Sequence, residues 1–282
     1  MSAQDAKRTH LVVGAGRMGG ALLSGWLETK RTRPMAENLV IIDPAPGEAA
    51  KAAIHAGALH LKDLGKAGQE PLFADIKCVL LAVKPQMFEK IAPQIEPLLP
   101  QDILIISILA GTNLNSLRQA FPKRRIIRAM TNTPAAIGAG ITAIAKNGEA
   151  KRADYQIAER LLSVGGDVFT VENENMIDMV TAISGSGPAY VFYLVESLTA
   201  AAVQIGFPPD LAPVFARQTI IGAGELLSKN ETDAITLRRN VTSPGGTTQA
   251  ALDVLMAEPG MASLMRNAVQ AALRRARELA QN

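Results

Sequence analysis

Cysteine is almost absent. A single residue, Cys78, occurs in 282, so no internal disulfide can form. It opens the apolar run Cys78–Val83 and reads as a small buried hydrophobe, not a nucleophile. The first residues, Met1–His10, are polar and charged, and no apolar stretch follows them. Both features point to a reducing, cytoplasmic setting. Aromatic residues make up only 4% of the chain, and the formal net charge is +3. The basic residues are dispersed, apart from Lys123-Arg124-Arg125 and Arg274-Arg275-Ala276-Arg277, which read as solvated faces. No basic stripe with interleaved aromatics is present, so a nucleic-acid partner is not expected. The longest uncharged runs, 129–145 and 179–195, are interrupted by Gly, Pro, Ser or Thr. Neither supplies the ~20 predominantly apolar residues of a membrane span. Histidine is scarce: His10, His55 and His60 all lie early in the chain. No Cys/His cluster suggests a metal site. A G-x-S-x-G elbow and a G-x-x-x-x-G-K-[ST] loop are both missing, so hydrolase and P-loop readings lack their motifs.

What is present is a regular alternation. Apolar runs at 11–13, 39–42, 78–83, 103–108 and 125–128 read as strands, with 141–145 and 167–171 as outer ones. Helix-like segments at 17–29, 47–56, 87–99, 113–120 and 153–164 separate them. The strand runs are continuously apolar, which predicts a parallel sheet covered on both faces. After residue 172 only helices are expected: 173–182, 189–205, 211–228, 247–257 and 261–279. The fold class is therefore α/β: a Rossmann-type doubly wound domain at 1–172, then an all-α domain at 173–282. The segment 189–205 is apolar almost all round, and its only charge is Glu196. Such a helix must be buried, and a small helical domain offers little interior. Part of its surface is expected to pack against a second copy of the chain.

Gly14-Ala15-Gly16-Arg17-Met18-Gly19 fits G-x-G-x-x-G, directly after a strand and at the opening of a helix. That context gives the pattern meaning as a dinucleotide site. Gly14 permits the tight turn, Gly16 a close approach to the pyrophosphate, and Gly19 close packing of helix on strand. The N–H groups around Arg17 and Met18 face the phosphates. Asp43 closes the second strand, 24 residues after Gly19. It suits either of two roles: an acceptor for the adenosine ribose hydroxyls, which favours NADH over NADPH, or a turn-capping aspartate. The segments Ala82-Val83-Lys84-Pro85-Gln86 and Ser107-Ile108-Leu109-Ala110-Gly111 fall where the ribose and nicotinamide would bind. Lys84 either reaches the coenzyme or is a solvated lysine before a proline.

Late in the chain, Val241-Thr242-Ser243-Pro244-Gly245-Gly246-Thr247-Thr248 feeds a helix. Exposed N–H groups, threonine hydroxyls and the helix dipole would suit a small carboxylate without any arginine. The segment Ser184-Gly185-Ser186-Gly187-Pro188 would give a second wall of the same kind. Both segments equally fit ordinary helix caps.

These segments, in this order, resemble the pyrroline-5-carboxylate reductase family along essentially the whole chain. The matching pieces are Val13–Gly19, Ala82–Gln86, Ser107–Gly111 and Ile183–Tyr190. The most specific is Leu237-Arg238-Arg239-Asn240-Val241-Thr242-Ser243-Pro244-Gly245-Gly246-Thr247-Thr248. The resemblance implies NADH- or NADPH-dependent reduction of 1-pyrroline-5-carboxylate to proline. It also implies a helical dimerisation domain, an active site shared between subunits, and a homodimer or assembly of dimers. By carry-over, Ser243, Gly245, Gly246 and Thr247 hold the substrate carboxylate, Thr248 bonds the ring nitrogen, and Asn132 lies beside the coenzyme. A protonated cyclic imine is already electrophilic, so no histidine acid is required. Thr131 stands where the family usually has proline, and Asp43-Pro44 differs from the Asn-Arg ending of many NADP-preferring members. The rival readings are a 3-hydroxyacid dehydrogenase, another cyclic imine reductase and a non-catalytic nucleotide-binding regulator. The first would want a lysine at 189–205, and none is there.

Overall fold

The computed structural model describes residues 9–29, 34–64, 73–229 and 231–281. The polar first residues read above lie outside these as far as residue 8. Two compact units are present, Ser186–Ala272 and the remainder of the chain.

The first unit is built on an eight-stranded sheet. Its strands are β1 His10–Val13, β2 Leu39–Ile42, β3 Leu59–Leu61, β4 Cys78–Leu81, β5 Leu104–Ser107, β6 Arg125–Met130, β7 Gly140–Lys146 and β8 Gly166–Thr170. Their order is β3-β2-β1-β4-β5-β6-β7-β8. The first six are parallel, β7 runs antiparallel to β6, and β8 runs parallel to β7. Every residue of β2, β4 and β5 is buried, as the uninterrupted apolar runs require.

Side chains alternate between two cores. On one face Leu11, Val13, Val40, Val79, Leu81 and Ile105 meet α3 (Pro85–Ile95) and α4 (Leu114–Ala120). On the other face Val12, Ile41, Leu80 and Ile106 meet α1 (Arg17–Glu28), α2 (Glu48–His55) and α5 (Arg152–Leu162). Each fully buried Leu, Ile or Val contributes about 1.5–3 kcal/mol. The only tryptophan, Trp26, donates from Nε1 to the Leu161 carbonyl at 2.7 Å and so ties α1 to α5.

After β8 comes α6 (Asn175–Val180), continued by a single π turn, Thr181–Gly185. The second unit contains α7 (Gly187–Gln204), α8 (Ala212–Lys229), α9 (Ala234–Asn240) and α10 (Thr247–Leu255). The final helix, α11 (Met261–Gln281), begins in it. Helices α7 and α8 pack together, and Phe207 and Phe215 meet edge to face at 5.1 Å between ring centres. No residue of α7 is buried within one chain; Phe192 is 61% exposed and Tyr193 69%.

Several details depart from the sequence reading. Strand β3 and helix α9 were not expected. The third expected strand stops at Leu81, and Ala82–Lys84 form the turn into α3, which starts with Pro85 in its first turn. The cluster Lys123-Arg124-Arg125 is not a solvated face. The Arg124 side chain is 6% exposed and pairs with Glu96 at 3.0 Å. Arg125 is half-buried between Asp102 and Asp154. Arg274, Arg275 and Arg277 are exposed, as read.

Candidate active site

Six parallel strands end on one edge of the sheet, and the order reverses between β1 and β4. In open α/β sheets such a switch point, at the carboxyl ends of the strands, is where ligands bind. Gly14 turns there with φ +89°, and an added Cβ would lie 2.8 Å from the backbone of Ala82 and Val83. A Cβ on Gly19 would lie 2.3 Å from the Gly14 carbonyl oxygen. Around Gly16, by contrast, nothing lies within 4 Å. Gly16 begins α1, no side chain caps the helix, and the first helical bond, Gly20 N to Gly16 O, is 2.7 Å long. The open space beside Gly16 and the positive, uncapped end of the helix fit a phosphate. Arg17 is exposed and Met18 half-buried.

Asp43 follows β2 and is 9% exposed. Its Oδ2 accepts from Ala15 N at 2.6 Å, inside the glycine loop, and its Oδ1 accepts from Ala45 N at 2.8 Å. The turn-capping role foreseen for it is therefore real. A carboxylate has about four acceptor sites, so capacity remains for hydroxyl donors. Val83, Lys84 and Pro85 lie on the same edge; Lys84 is exposed at the start of α3. Ala110 is exposed after β5. Asn132 follows β6, where its Oδ1 accepts from Ile141 N at 3.1 Å and fixes the turn toward β7. The neighbouring Thr131 hydroxyl is buried and has no hydrogen-bond partner among the described residues.

Titratable groups elsewhere have other duties. Burial pushes the Cys78 thiol up to about 12, which removes it as a nucleophile. Burial, then the charges of Arg160 and Lys77, lower His10 to about 4. His60 does reach the edge that carries the glycine loop, on its β2–β3 side: Nε2 lies 2.8 Å from the Asp43 carbonyl oxygen. Sequence reasoning gave His60 no role. Its only signal was a histidine between two leucines after a short helix.

The glycine–threonine loop at 241–248 lies in the second unit. Thr242 closes α9, with Oγ1 donating to the Arg238 carbonyl at 2.7 Å. Gly246 N donates to Ser243 O at 3.0 Å, and Gly245 sits at φ +70°. A Cβ on Gly246 would meet Ser243 Oγ at 2.7 Å, so the turn accepts glycine there. Gly246 begins α10 without any side-chain cap. Ser243, Gly245 and Thr247 are exposed, and Thr248 is half-buried in the first turn. The loop thus presents free N–H groups at a helix start, flanked by two threonine hydroxyls. In Ser184–Pro188, by contrast, Ser184 Oγ donates to the Val180 carbonyl at 3.1 Å, within the π turn.

Residues 174–279 match the family model for pyrroline-5-carboxylate reductase dimerisation. Residues 11–111 match that for NADP oxidoreductase, coenzyme F420-dependent. A pyrroline-5-carboxylate reductase of Pseudomonas aeruginosa is 35% identical over 270 residues, covering 95% of this chain and 96% of that one. The chain belongs to the pyrroline-5-carboxylate reductase family. A member from Synechocystis is 43% identical over 201 residues, covering 71% of this chain and 74% of its own. Among solved structures, a pyrroline-5-carboxylate reductase from Coxiella burnetii aligns with TM-score 0.85 at 28% identity, over 98% of this chain and all of that one. The Plasmodium falciparum pyrroline carboxylate reductase with NADP bound aligns with TM-score 0.79 at 27% identity, over 98% and 99%. Membership of this family decides against the hydroxyacid dehydrogenase, whose lysine is also missing from α7.

Proposed function

We propose that this protein reduces 1-pyrroline-5-carboxylate to proline with NADH or NADPH, the last step of proline biosynthesis. The observation that carries this reading is the uncapped start of α10, with Gly245 at positive φ and Thr247 and Thr248 in the first turn. Ser243, Gly245 and the backbone around Gly246 and Thr247 hold the substrate carboxylate through the helix dipole. The Thr248 hydroxyl bonds the ring nitrogen and sets the face that the imine carbon presents. Gly14, Gly16, Arg17, Met18 and Gly19 receive the pyrophosphate. Val83, Lys84, Pro85, Ala110 and Asn132 line the ribose and nicotinamide. When bound, the reduced nicotinamide supplies a hydride to the imine carbon; the ring nitrogen keeps its proton and becomes the amine. The chain's own residues therefore work by positioning.

Asp43 favours NADH, because its buried carboxylate would repel a 2′-phosphate. The apolar side chains exposed along α7 support a homodimer or an assembly of dimers, with each active site shared between subunits. The buried, unreactive Cys78 accords with a cytoplasmic setting; among the described residues no helix is long and apolar enough to cross a membrane.

Coenzyme oxidation in the presence of 1-pyrroline-5-carboxylate tests the assignment directly. Turnover with either coenzyme is expected. Coenzyme binding without turnover would instead favour a regulator.

A further inference from the structure

Every hydrogen-bonding group of Asp43 is engaged, and from two sides. Its carboxylate takes Ala15 N and Ala45 N, as described. Its N–H donates to Leu61 O at 3.1 Å, and its carbonyl oxygen lies 2.8 Å from His60 Nε2. A carbonyl only accepts, so His60 carries a proton on Nε2 and donates it. Strand β3 places the ring there. Leu59 and Leu61 pack into one core, and alternation sends His60 to the opposite face. Pairing of Ile41 with His60 sets its height beside the end of β2.

A coenzyme with a 2′-phosphate would bring a dianion beside a buried carboxylate. Two movements would relieve that repulsion. The carboxylate could rotate away, which breaks the 2.6 Å bond from Ala15. Alternatively the whole 43–45 turn could shift outward. The His60 bond opposes the second movement, because it pins the carbonyl from which the turn departs.

We propose that His60 is a positioning residue for coenzyme choice: by holding the Asp43 carbonyl from β3, it keeps the Asp43 carboxylate fixed against the adenosine ribose and sustains discrimination against NADPH. This rests on the reading of Asp43 as the ribose-binding acid. His60 touches neither coenzyme nor substrate in this role. Its removal changes which coenzyme is accepted, not the hydride step.

The test is steady-state kinetics with NADH and NADPH for the wild type, D43N, H60A, H60N and H60Q. The wild type favours NADH, and D43N narrows the ratio of the two kcat/KM values. H60A narrows it by about fivefold, the scale of one hydrogen bond. The change falls mainly in KM for NADPH, while kcat with NADH holds. Asparagine is too short to span to the carbonyl, so H60N behaves as H60A and carries the test if H60A does not fold. The glutamine amide can reach, so H60Q restores the wild-type ratio. If D43N leaves the ratio unchanged, or the wild type prefers NADPH, the reading of Asp43 fails and this inference falls with it. If D43N shifts the ratio but H60A and H60N stay within about twofold of wild type, the inference alone is wrong. A widened ratio in H60A would also overturn it, since that result means the imidazole attracts the phosphate.

Discussion

Arg128 and Glu174 meet at 2.6 Å, and the arginine side chain is only 4% exposed. The same guanidinium lies 3.3 Å from Asp178, and Glu174 Oε1 also accepts from Leu114 N at 2.6 Å. One ion cluster thus fastens α6 to β6 and to the start of α4. Removing the cation strands two partly buried carboxylates. Arg128→Leu is expected to lower unfolding free energy by about 3–5 kcal/mol, whereas Glu174→Gln, which keeps an acceptor for Leu114, costs less. Urea denaturation decides: a midpoint for Arg128→Leu close to that of the wild type would mean the cluster is not what holds α6.

The glycines of the first loop separate packing from ligand approach. Gly19→Ala places a methyl group against the Gly14 carbonyl, so stability falls by about 1–3 kcal/mol and coenzyme affinity falls with it. Gly16→Ala meets nothing, so melting without coenzyme stays within about 0.5 kcal/mol of wild type while affinity still drops. Thermal melts paired with NADH fluorescence titrations distinguish the two. Equal melting of both variants would contradict this division of roles.

Thr248→Ala should reduce kcat/KM for the imine by about 10- to 100-fold, with the NADH dissociation constant unchanged. Thr248→Ser, which retains the hydroxyl, keeps most of the activity. Unaltered kinetics in Thr248→Ala would remove this residue from the substrate site.

His10 makes stability depend on pH. Burial holds its folded value at about 4, below the ordinary 6.5. As pH falls through 6.5 the unfolded chain takes up the proton first. The stabilisation from keeping this ring neutral is complete above 6.5 and is lost as pH falls from 6.5 to 4, by at most roughly 3 kcal/mol. Chemical denaturation at pH 7 and pH 5 should show a smaller difference for His10→Leu than for the wild type; an identical difference would exclude the histidine as the cause.

Most of the sheet was legible because both faces are covered, which turns β1, β2, β4 and β5 into unbroken apolar runs. Strand β3 escaped because it has three residues with a histidine in the middle, and none of them is fully buried. Helix α9 escaped because it is short and its last turn is polar, Arg238-Arg239-Asn240; its clearest mark is Asp233, whose Oδ1 accepts from Thr236 N at 3.0 Å. The turn at Gly14 and the close packing at Gly19 could be read locally, since a strand followed by G-x-G-x-x-G fixes the turn. The coupling of Ala15 to Asp43 and of Asp43 to His60 could not, because those bonds join residues that only the sheet order makes neighbours. Arg124 was misread for a related reason: its partner Glu96 lies 28 residues away and is invisible to charge counting.

The reversal of β7 has a consequence for the route of the chain. Had every strand run the same way, the segment after β8 would set out from the rim at the carboxyl ends of the parallel strands and finish on the far side of the sheet. With β7 and β8 inverted, α6 instead travels back across β6, passing Arg128, and the π turn halts at Gly185, where an added Cβ would lie 2.5 Å from Met130 Cε. The polypeptide therefore departs from its nucleotide fold on the rim that carries the glycine loop. Insertions or deletions near 171–174 would be felt at that rim, not at the remote end of the strands.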